Sequence, residues 1–271
     1  MFPKLEDKLP REIERCTYFI QNVFKYKNFD RAIIGISGGI DSAVIASLCV
    51  KALGKENVIG IMLPRGKQID IADSELLCKT LDIKSEKFCI HNSVESLRLL
   101  EENVLFDKVR TGNIIARVRM IVLYDQSVKY SALVVGTSNK TELMMGYFTL
   151  HGDGACALEP IGHLYKSQVK EMAIALDIPK SIIEKAPSAG LWDGQTDEGE
   201  LGLNYDILDC ILLRYDKIKN DTNNDWSKQK IVENISDNLQ LDFFLVSRII
   251  DIVERNKFKL APPVMLGTSP C

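Results

Sequence analysis

The residues best suited to chemistry lie in GISGGIDSA, Gly35–Ala43, where three glycines, two serine hydroxyls and a carboxylate crowd together. Glycines let an anion approach the main chain. Where such a loop opens a helix, the unpaired N–H groups of the first turn and the positive end of the helix dipole form a phosphate site. Gly35, Ser37, Gly38, Gly39, Asp41 and Ser42 are therefore candidate phosphate-binding residues. Two familiar forms of this loop do not fit. G-x-x-x-x-G-K-[ST] fails because Gly39 is followed by Ile40 and Asp41, and G-x-G-x-x-G fails because Ser37 replaces its second glycine. The plain structural alternative is a strand-to-helix turn with a Ser or Asp cap. A cap needs one such residue, whereas several coincide here.

The surrounding elements place this loop. Short Val- and Ile-rich runs at RAIIGIS (31–37), NVIGIML (57–63), SEKFCI (85–90) and SALVVGT (131–137) predict strands. They alternate with helical patterns over 41–53, 70–81, 94–102 and 114–130, and further helices are expected over 138–147 and 166–176. That alternation is the signature of βαβ units, so the expected fold is α/β, a doubly wound, mostly parallel sheet with flanking helices. Gly35–Ser42 then sits at the carboxyl end of the first strand, where open α/β sheets bind ligands. One domain over 1–271 is expected, with an N-terminal helix within 1–28 and a helical C-terminal part over 204–260. That part reads as helix 207–218, a polar loop 219–229 and helix 241–255. The polar, glycine-rich stretch 187–206 is long for a connection, which points to function; 187–202 reads as a lid.

Composition narrows the classes. Hydrophobic residues make up 46% and charged residues 26%, and no apolar run approaches the ~18 residues of a membrane span. The first twenty residues lack the apolar core of a signal peptide. A net charge of −3 argues against broad nucleic-acid binding, which needs clustered Lys and Arg. The seven cysteines show neither C-x-x-C nor zinc-like spacing and read as reduced thiols in a cytoplasm. Cys156 has no recognisable His partner nearby and reads as structural; His151 and His163, outside any H-E-x-x-H, read as surface or packing residues.

S-G-G-x-D-S after a buried strand resembles the loop of the ATP pyrophosphatases, which cleave ATP between its α- and β-phosphates. Two further blocks, GTSNKTELMMGYFTLHGDGACALEPIGHLYKSQVKEMA (136–173) and APSAGLWDGQTDEGELGLNYD (186–206), with NIIARVRMIVLYD (113–125), are similar to those of the NAD synthetase family in the same order and spacing. The fold implied is that of the adenine-nucleotide α-hydrolases. The activity implied is ATP-dependent amidation of nicotinic acid adenine dinucleotide through an acyl-adenylate, releasing AMP and pyrophosphate, as the last step of NAD biosynthesis. The resemblance implies ATP on Gly35, Ser37, Gly38, Gly39, Asp41, Ser42, Thr137, Lys166 and Ser188. It implies Mg²⁺ on Asp41 and Glu142, and the dinucleotide acid on Arg117, Asp153 and Lys257, with Asp153 near the reacting carboxyl and the ammonia site. It also implies a homodimer. Members that use glutamine carry an additional amidase domain for which 271 residues leave no room, so free ammonia is the expected nitrogen source.

Several placements make chemical sense alone. Thr137 and Glu142 follow the fourth strand, so Glu142 can meet Asp41 across the crevice, a pairing that is costly unless a divalent cation neutralises it. Lys166 could neutralise charge on the transferred phosphate, and Arg117 offers a planar fork for a carboxylate or phosphate. The sequence departs from the family pattern at Ser138, Asn139, Ala157 and Asn256, which bears on the dinucleotide contacts; Ser188 replaces a frequent threonine and keeps the hydroxyl.

Overall fold

The computed structural model describes residues 4–66, 71–98, 107–188, 190, 197–221, 225–262 and 265–266. In chain order its regular elements are α1 (Leu9–Lys27), β1 (Arg31–Gly35), α2 (Ile40–Leu53), β2 (Val58–Met62), α3 (Ile71–Thr80), β3 (Lys84–Lys87), α4 (His91–Arg98), α5 (Lys108–Tyr130), β4 (Ala132–Val134), α6 (Lys140–Met145), α7 (Lys166–Ala175), α8 (Lys180–Ile183), α9 (Asp197–Leu201), α10 (Tyr205–Asn220), α11 (Lys228–Leu239) and α12 (Phe243–Asn256), with short 3₁₀ turns between them.

The four strands pair in parallel in the order β3-β2-β1-β4. Side chains alternate across a strand, so β1 feeds two cores. Ala32, Ile34 and Ile36 pack with α1, α2 and α7, while Ile33 joins Ile59, Ile61 and the α4 and α5 side chains Val94, Ile115 and Val118 on the opposite face. The expected doubly wound sheet is thus observed. Both faces being covered explains why β1 and β2 read as continuous apolar runs. The chain winds outward from β1 to β3, then returns to place β4 on the other side of β1. The carboxyl ends of β1 and β4 therefore flank the switch point, the crevice where such sheets bind ligands.

A separate core joins α10, α11 and α12, built from Leu208, Ile211, Leu212, Ile231, Ile235, Val246, Ile249 and Val253, with Met145 of α6 and Tyr165 reaching into it. This is the expected C-terminal helical part, with one difference. The polar loop expected through Gln229 ends earlier, because Ser227 caps α11 by accepting a hydrogen bond from the Lys230 N–H, and the helix runs over residues to which sequence periodicity assigned nothing. Its apolar stripe is short, Ile231, Val232 and Ile235, and becomes legible only through its packing. Similarly α5 starts at Lys108, capped by Asp107, six residues before the first expected helical residue.

Candidate active site

The loop expected to bind phosphate occupies the predicted position and is locked by its own serines. Gly38 has φ +76°, a conformation glycine adopts without strain. Ser42, 2% exposed, donates through Oγ to the Gly39 carbonyl at 3.0 Å and accepts from the Ser37 N–H at 3.3 Å. The Gly39 N–H donates to Ser37 Oγ at 3.2 Å. Extended backbone at Gly39 then starts α2 with no side-chain cap, leaving first-turn amides facing the crevice.

Asp41 projects from the first turn of α2 and meets groups from the far side of the switch point. Its Oδ2 accepts from Lys166 Nζ at 2.5 Å, and Glu142 Oε1 accepts from the same ammonium at 3.2 Å. Both carboxylate side chains are 16% exposed and Lys166 9%. Asn139, fully buried, joins the two acids. Its Nδ2 donates to Asp41 Oδ1 at 2.9 Å, its Oδ1 accepts the Glu142 N–H, and its own N–H donates to Glu142 Oε2. The position read from sequence as a departure is thus the bracket that aligns Asp41 with Glu142.

A further buried carboxylate positions Lys166 through its neighbours. Asp209 of α10 accepts from Thr141 Oγ1 at 2.6 Å and from the Ser167 N–H at 2.9 Å, while the Lys166 N–H donates to Thr141 Oγ1 at 3.0 Å. An acid at the amino end of α7 is where the helix dipole favours one. Asp197, 3% exposed, adds a third acid near the ammonium; Tyr205 and Tyr147 hydroxyls donate to it at 2.9 and 3.2 Å. Burial raises Glu142 and Asp197 above the ordinary carboxylate range, with Lys166 acting the other way. Burial also opposes charge on Lys166, but Asp41 and Glu142 outweigh it and hold its pKa above the usual lysine value. One cation faces three carboxyl groups, and such a gathering of hard oxygen donors, whose charge burial opposes, suits a divalent ion such as Mg²⁺.

The cavity around this cluster measures about 1140 Å³. Known pockets for one small ligand reach about 1,000 Å³, so two substrates can share it. Of the sequence candidates, Gly35, Ser37, Gly38, Gly39, Asp41, Ser42, Thr137, Glu142, Asp153, Lys166 and Ser188 line it. Arg117 and Lys257 are placed elsewhere: Arg117 is exposed and donates to the Leu150 carbonyl, and Lys257 pairs with Glu254 at 2.8 Å. Two other cations take the lining positions. Arg119 donates to the Leu63 and Gly190 carbonyls, and Lys259 to the Gly146 and Phe148 carbonyls. Both lie close enough to Asp153 to feel its charge. Asp153 is open to the cavity yet enclosed by protein, and this desolvation raises its pKa while the Thr149 N–H, 2.8 Å from Oδ1, opposes the shift. Arg119 and Lys259 thus bring two cations to this end, where Glu159 is a second acid within reach of Asp153. Of the proposed lid, residues 189 and 191–196 lie outside the described residues; Pro187, Ser188, Asp197 and Glu200 line the cavity.

Glu159 supports the Thr137 loop from beneath. It accepts from the Ser138 N–H at 3.0 Å and the Cys156 thiol at 3.3 Å, and a Cβ on Gly136 would lie 2.4 Å from its carboxyl carbon. The Cys156 thiol is occupied by its contact with Glu159, and burial raises its pKa. Burial pushes Glu159 up to about 7. The folded state therefore holds this proton where the unfolded chain has released it, and stability falls as pH rises from about 4.5 to about 7. Glu159→Gln removes that loss: at pH 8 the variant should gain on the order of 2 kcal/mol over wild type, and at pH 4 almost nothing, measured by urea unfolding.

Comparison with known proteins bears on this geometry. The chain matches the NAD synthase family over residues 12–263. It is 39% identical to the NH₃-dependent NAD⁺ synthetase of Methanocaldococcus jannaschii, over 93% of this chain and 94% of that protein. Among solved structures it is similar to the NMN synthetase of Francisella tularensis, with TM-score 0.78 and 32% identity over 96% of this chain and 99% of that one. It is likewise similar to the NH₃-dependent NAD synthetase of Campylobacter jejuni, with TM-score 0.77 and 31% identity over 95% and 99%.

Proposed function

The chain belongs to the NAD synthase family, and from that premise we propose how the cavity carries out the family's chemistry. The activity is ATP-dependent amidation in NAD biosynthesis, with ATP, the nicotinic acid dinucleotide and ammonia as substrates. The observation that carries the residue assignment is the contrast along one cavity, with Asp41, Glu142 and Asp197 gathered around Lys166 at one end and Arg119 and Lys259 beside Asp153 at the other.

The ATP phosphates lie over the Gly35–Ser42 loop and the amino end of α2, with Thr137, Lys166 and Ser188 around them. Asp41 and Glu142, aligned by Asn139, would hold Mg²⁺. When bound, this ion neutralises the polyphosphate and the departing pyrophosphate. The carboxylate of the acid substrate enters from the Arg119–Lys259 end and attacks the α-phosphorus. The bond to the bridging oxygen breaks, pyrophosphate leaves and an acyl-adenylate forms. Lys166 and the loop amides stabilise the negative charge on the phosphorus oxygens. Ammonia then attacks the acyl carbon, Asp153 accepts a proton from the incoming nitrogen, and AMP leaves with one oxygen of the original carboxylate. The raised pKa of Asp153 suits that task. Pro187, Ser188 and Glu200, which line the cavity, would help to keep water from the adenylate.

Arg119 and Lys259 carry the acceptor contacts in this reading, in place of Arg117 and Lys257. Arg119→Gln should lower kcat/KM for the acid substrate by about 10- to 100-fold, with KM for ATP within about twofold of wild type. Lys257→Ala should change neither by more than about twofold. Equal losses for both substrates in Arg119→Gln would count against this placement.

The homodimer and the cytoplasmic location belong to the same proposal. Ile121, Tyr124 and Val128 leave an exposed apolar stripe along α5, which supports a subunit contact. No disulfide joins the described cysteines, and among the described residues no helix is long and apolar enough to cross a membrane. The functional test supplies ATP, Mg²⁺ and ammonium with either the dinucleotide acid or the mononucleotide acid, the latter because of the likeness to an NMN synthetase. Faster turnover of the dinucleotide acid with AMP release is expected; preference for the mononucleotide, or ADP in place of AMP, would overturn the reading.

A further inference from the structure

We propose that Glu12, Cys16 and His163 form a binding site for a divalent ion of the zinc class, remote in chemistry from the magnesium carboxylates. Glu12 and Cys16 stand four residues apart on α1, hence on one helix face. His163 comes from the turn before α7. The three ligand atoms lie within 4.8 Å of one another, and no other such group of three occurs among the described residues.

The donor set is that of zinc. Thiolate, imidazole and carboxylate are its three protein ligands, and a site with three of them and one open position is a common form. A thiolate and a carboxylate together balance two positive charges, leaving the imidazole neutral. Tetrahedral coordination at zinc bond lengths puts ligand atoms about 3.5 Å apart. The widest spacing must therefore close by about an ångström and the narrowest, His163 Nε2 to Glu12 Oε1 at 2.6 Å, must open. Side-chain rotation can supply both, because each present contact is weak or exposed. The Cys16 thiol has only a 3.6 Å contact to the Pro160 carbonyl, and the Glu12 partner Arg15 is 68% exposed. His163 is 36% exposed, so the open position faces solvent.

On binding, the thiol proton leaves to solvent and a sulfur–metal bond forms. The ion then ties α1 to the turn that leads into Lys166, three residues beyond His163. Nothing in this depends on the amidation chemistry.

The test adds Co²⁺ to the full chain with Mg²⁺ in excess. A thiolate ligand gives Co²⁺ a near-ultraviolet charge-transfer band that carboxylates do not. One equivalent of Co²⁺ should produce the band, and Zn²⁺ should displace it. Cys16→Ser should abolish it, His163→Ala should weaken Co²⁺ affinity by tenfold or more, and Cys89→Ser, which removes an exposed thiol elsewhere, should leave both unchanged. His163→Ala also keeps the test decisive if Cys16→Ser fails to fold, since its ring is at the surface. Excess Zn²⁺ should raise the Tm of wild type and not of His163→Ala. Absence of the band, or a band that keeps its intensity and affinity in His163→Ala, overturns the proposal.

Discussion

Asp41→Ala should reduce amidation by at least about 10³-fold while leaving the protein folded. Asp41 has two tasks in the cavity: with Glu142 it supplies hard oxygen for the metal, and it holds Lys166 at 2.5 Å. Removing one preorganised charge contact from a phosphoryl-transfer site costs about 10²–10³ in rate. Losing half of the metal's carboxylates adds to that. The fold tolerates the change because Lys166 keeps Glu142 at 3.2 Å and Asp197 nearby, so no buried cation is left alone. Steady-state AMP formation, circular dichroism and MgATP titration of one sample check the three parts together. A variant that binds MgATP and turns over normally would remove Asp41 from the account.

Lys166→Met should damage the protein in two separable ways. Turnover should fall by about 10²–10³, the loss of the cation aimed at the α-phosphate. Stability should fall as well, because Asp41, Glu142 and Asp197 would share a desolvated site with no cation. Breaking a buried pair in this way costs about 3–5 kcal/mol. The sign with pH follows from the raised carboxylates: burial already lifts Glu142 and Asp197, and loss of Lys166 lifts them further. Their contribution to instability therefore grows as pH rises from the unfolded carboxylate range toward neutrality. Lys166→Met should be nearest to wild type at low pH and furthest from it at pH 8. Added Mg²⁺ should recover part of the stability and none of the turnover. Equal destabilisation at every pH would mean that the lysine contributes through packing alone.

Much of this site could be read from the chain before any coordinates, and the exceptions have geometric causes. The loop at Gly35–Ser42 was legible because its residue types are rare in combination and its neighbours form an apolar strand. Glu142 is legible as a partner of Asp41, and Lys166 as a cation for the phosphate, because each lies in the first turn of a helix near the crevice. Arg117 and Arg119 differ by two residues on one helix, about 200° around its axis, so the sequence that marks one marks the opposite face as readily. Lys257 and Lys259 differ by two positions in a 3₁₀ turn, about 240°. In both pairs side-chain direction, not residue type, decides which cation reaches the cavity. Asp197 lay within a block recognised as a whole, and only its tyrosine partners single it out. Asn139 stands out in the sequence for what it replaces; its link to Glu142 has capping-box spacing, but its contact with Asp41 comes from another strand's end, a relation that spacing along the chain does not contain.

The central claim is that the acid substrate's own carboxylate attacks the α-phosphorus before ammonia enters. Isotope transfer tests this directly. With the nicotinate carboxylate labelled with ¹⁸O, turnover should deliver one labelled oxygen to the phosphate of AMP and leave the other in the amide of the product. Label remaining wholly outside AMP, or appearing in inorganic phosphate beside ADP, would contradict the account.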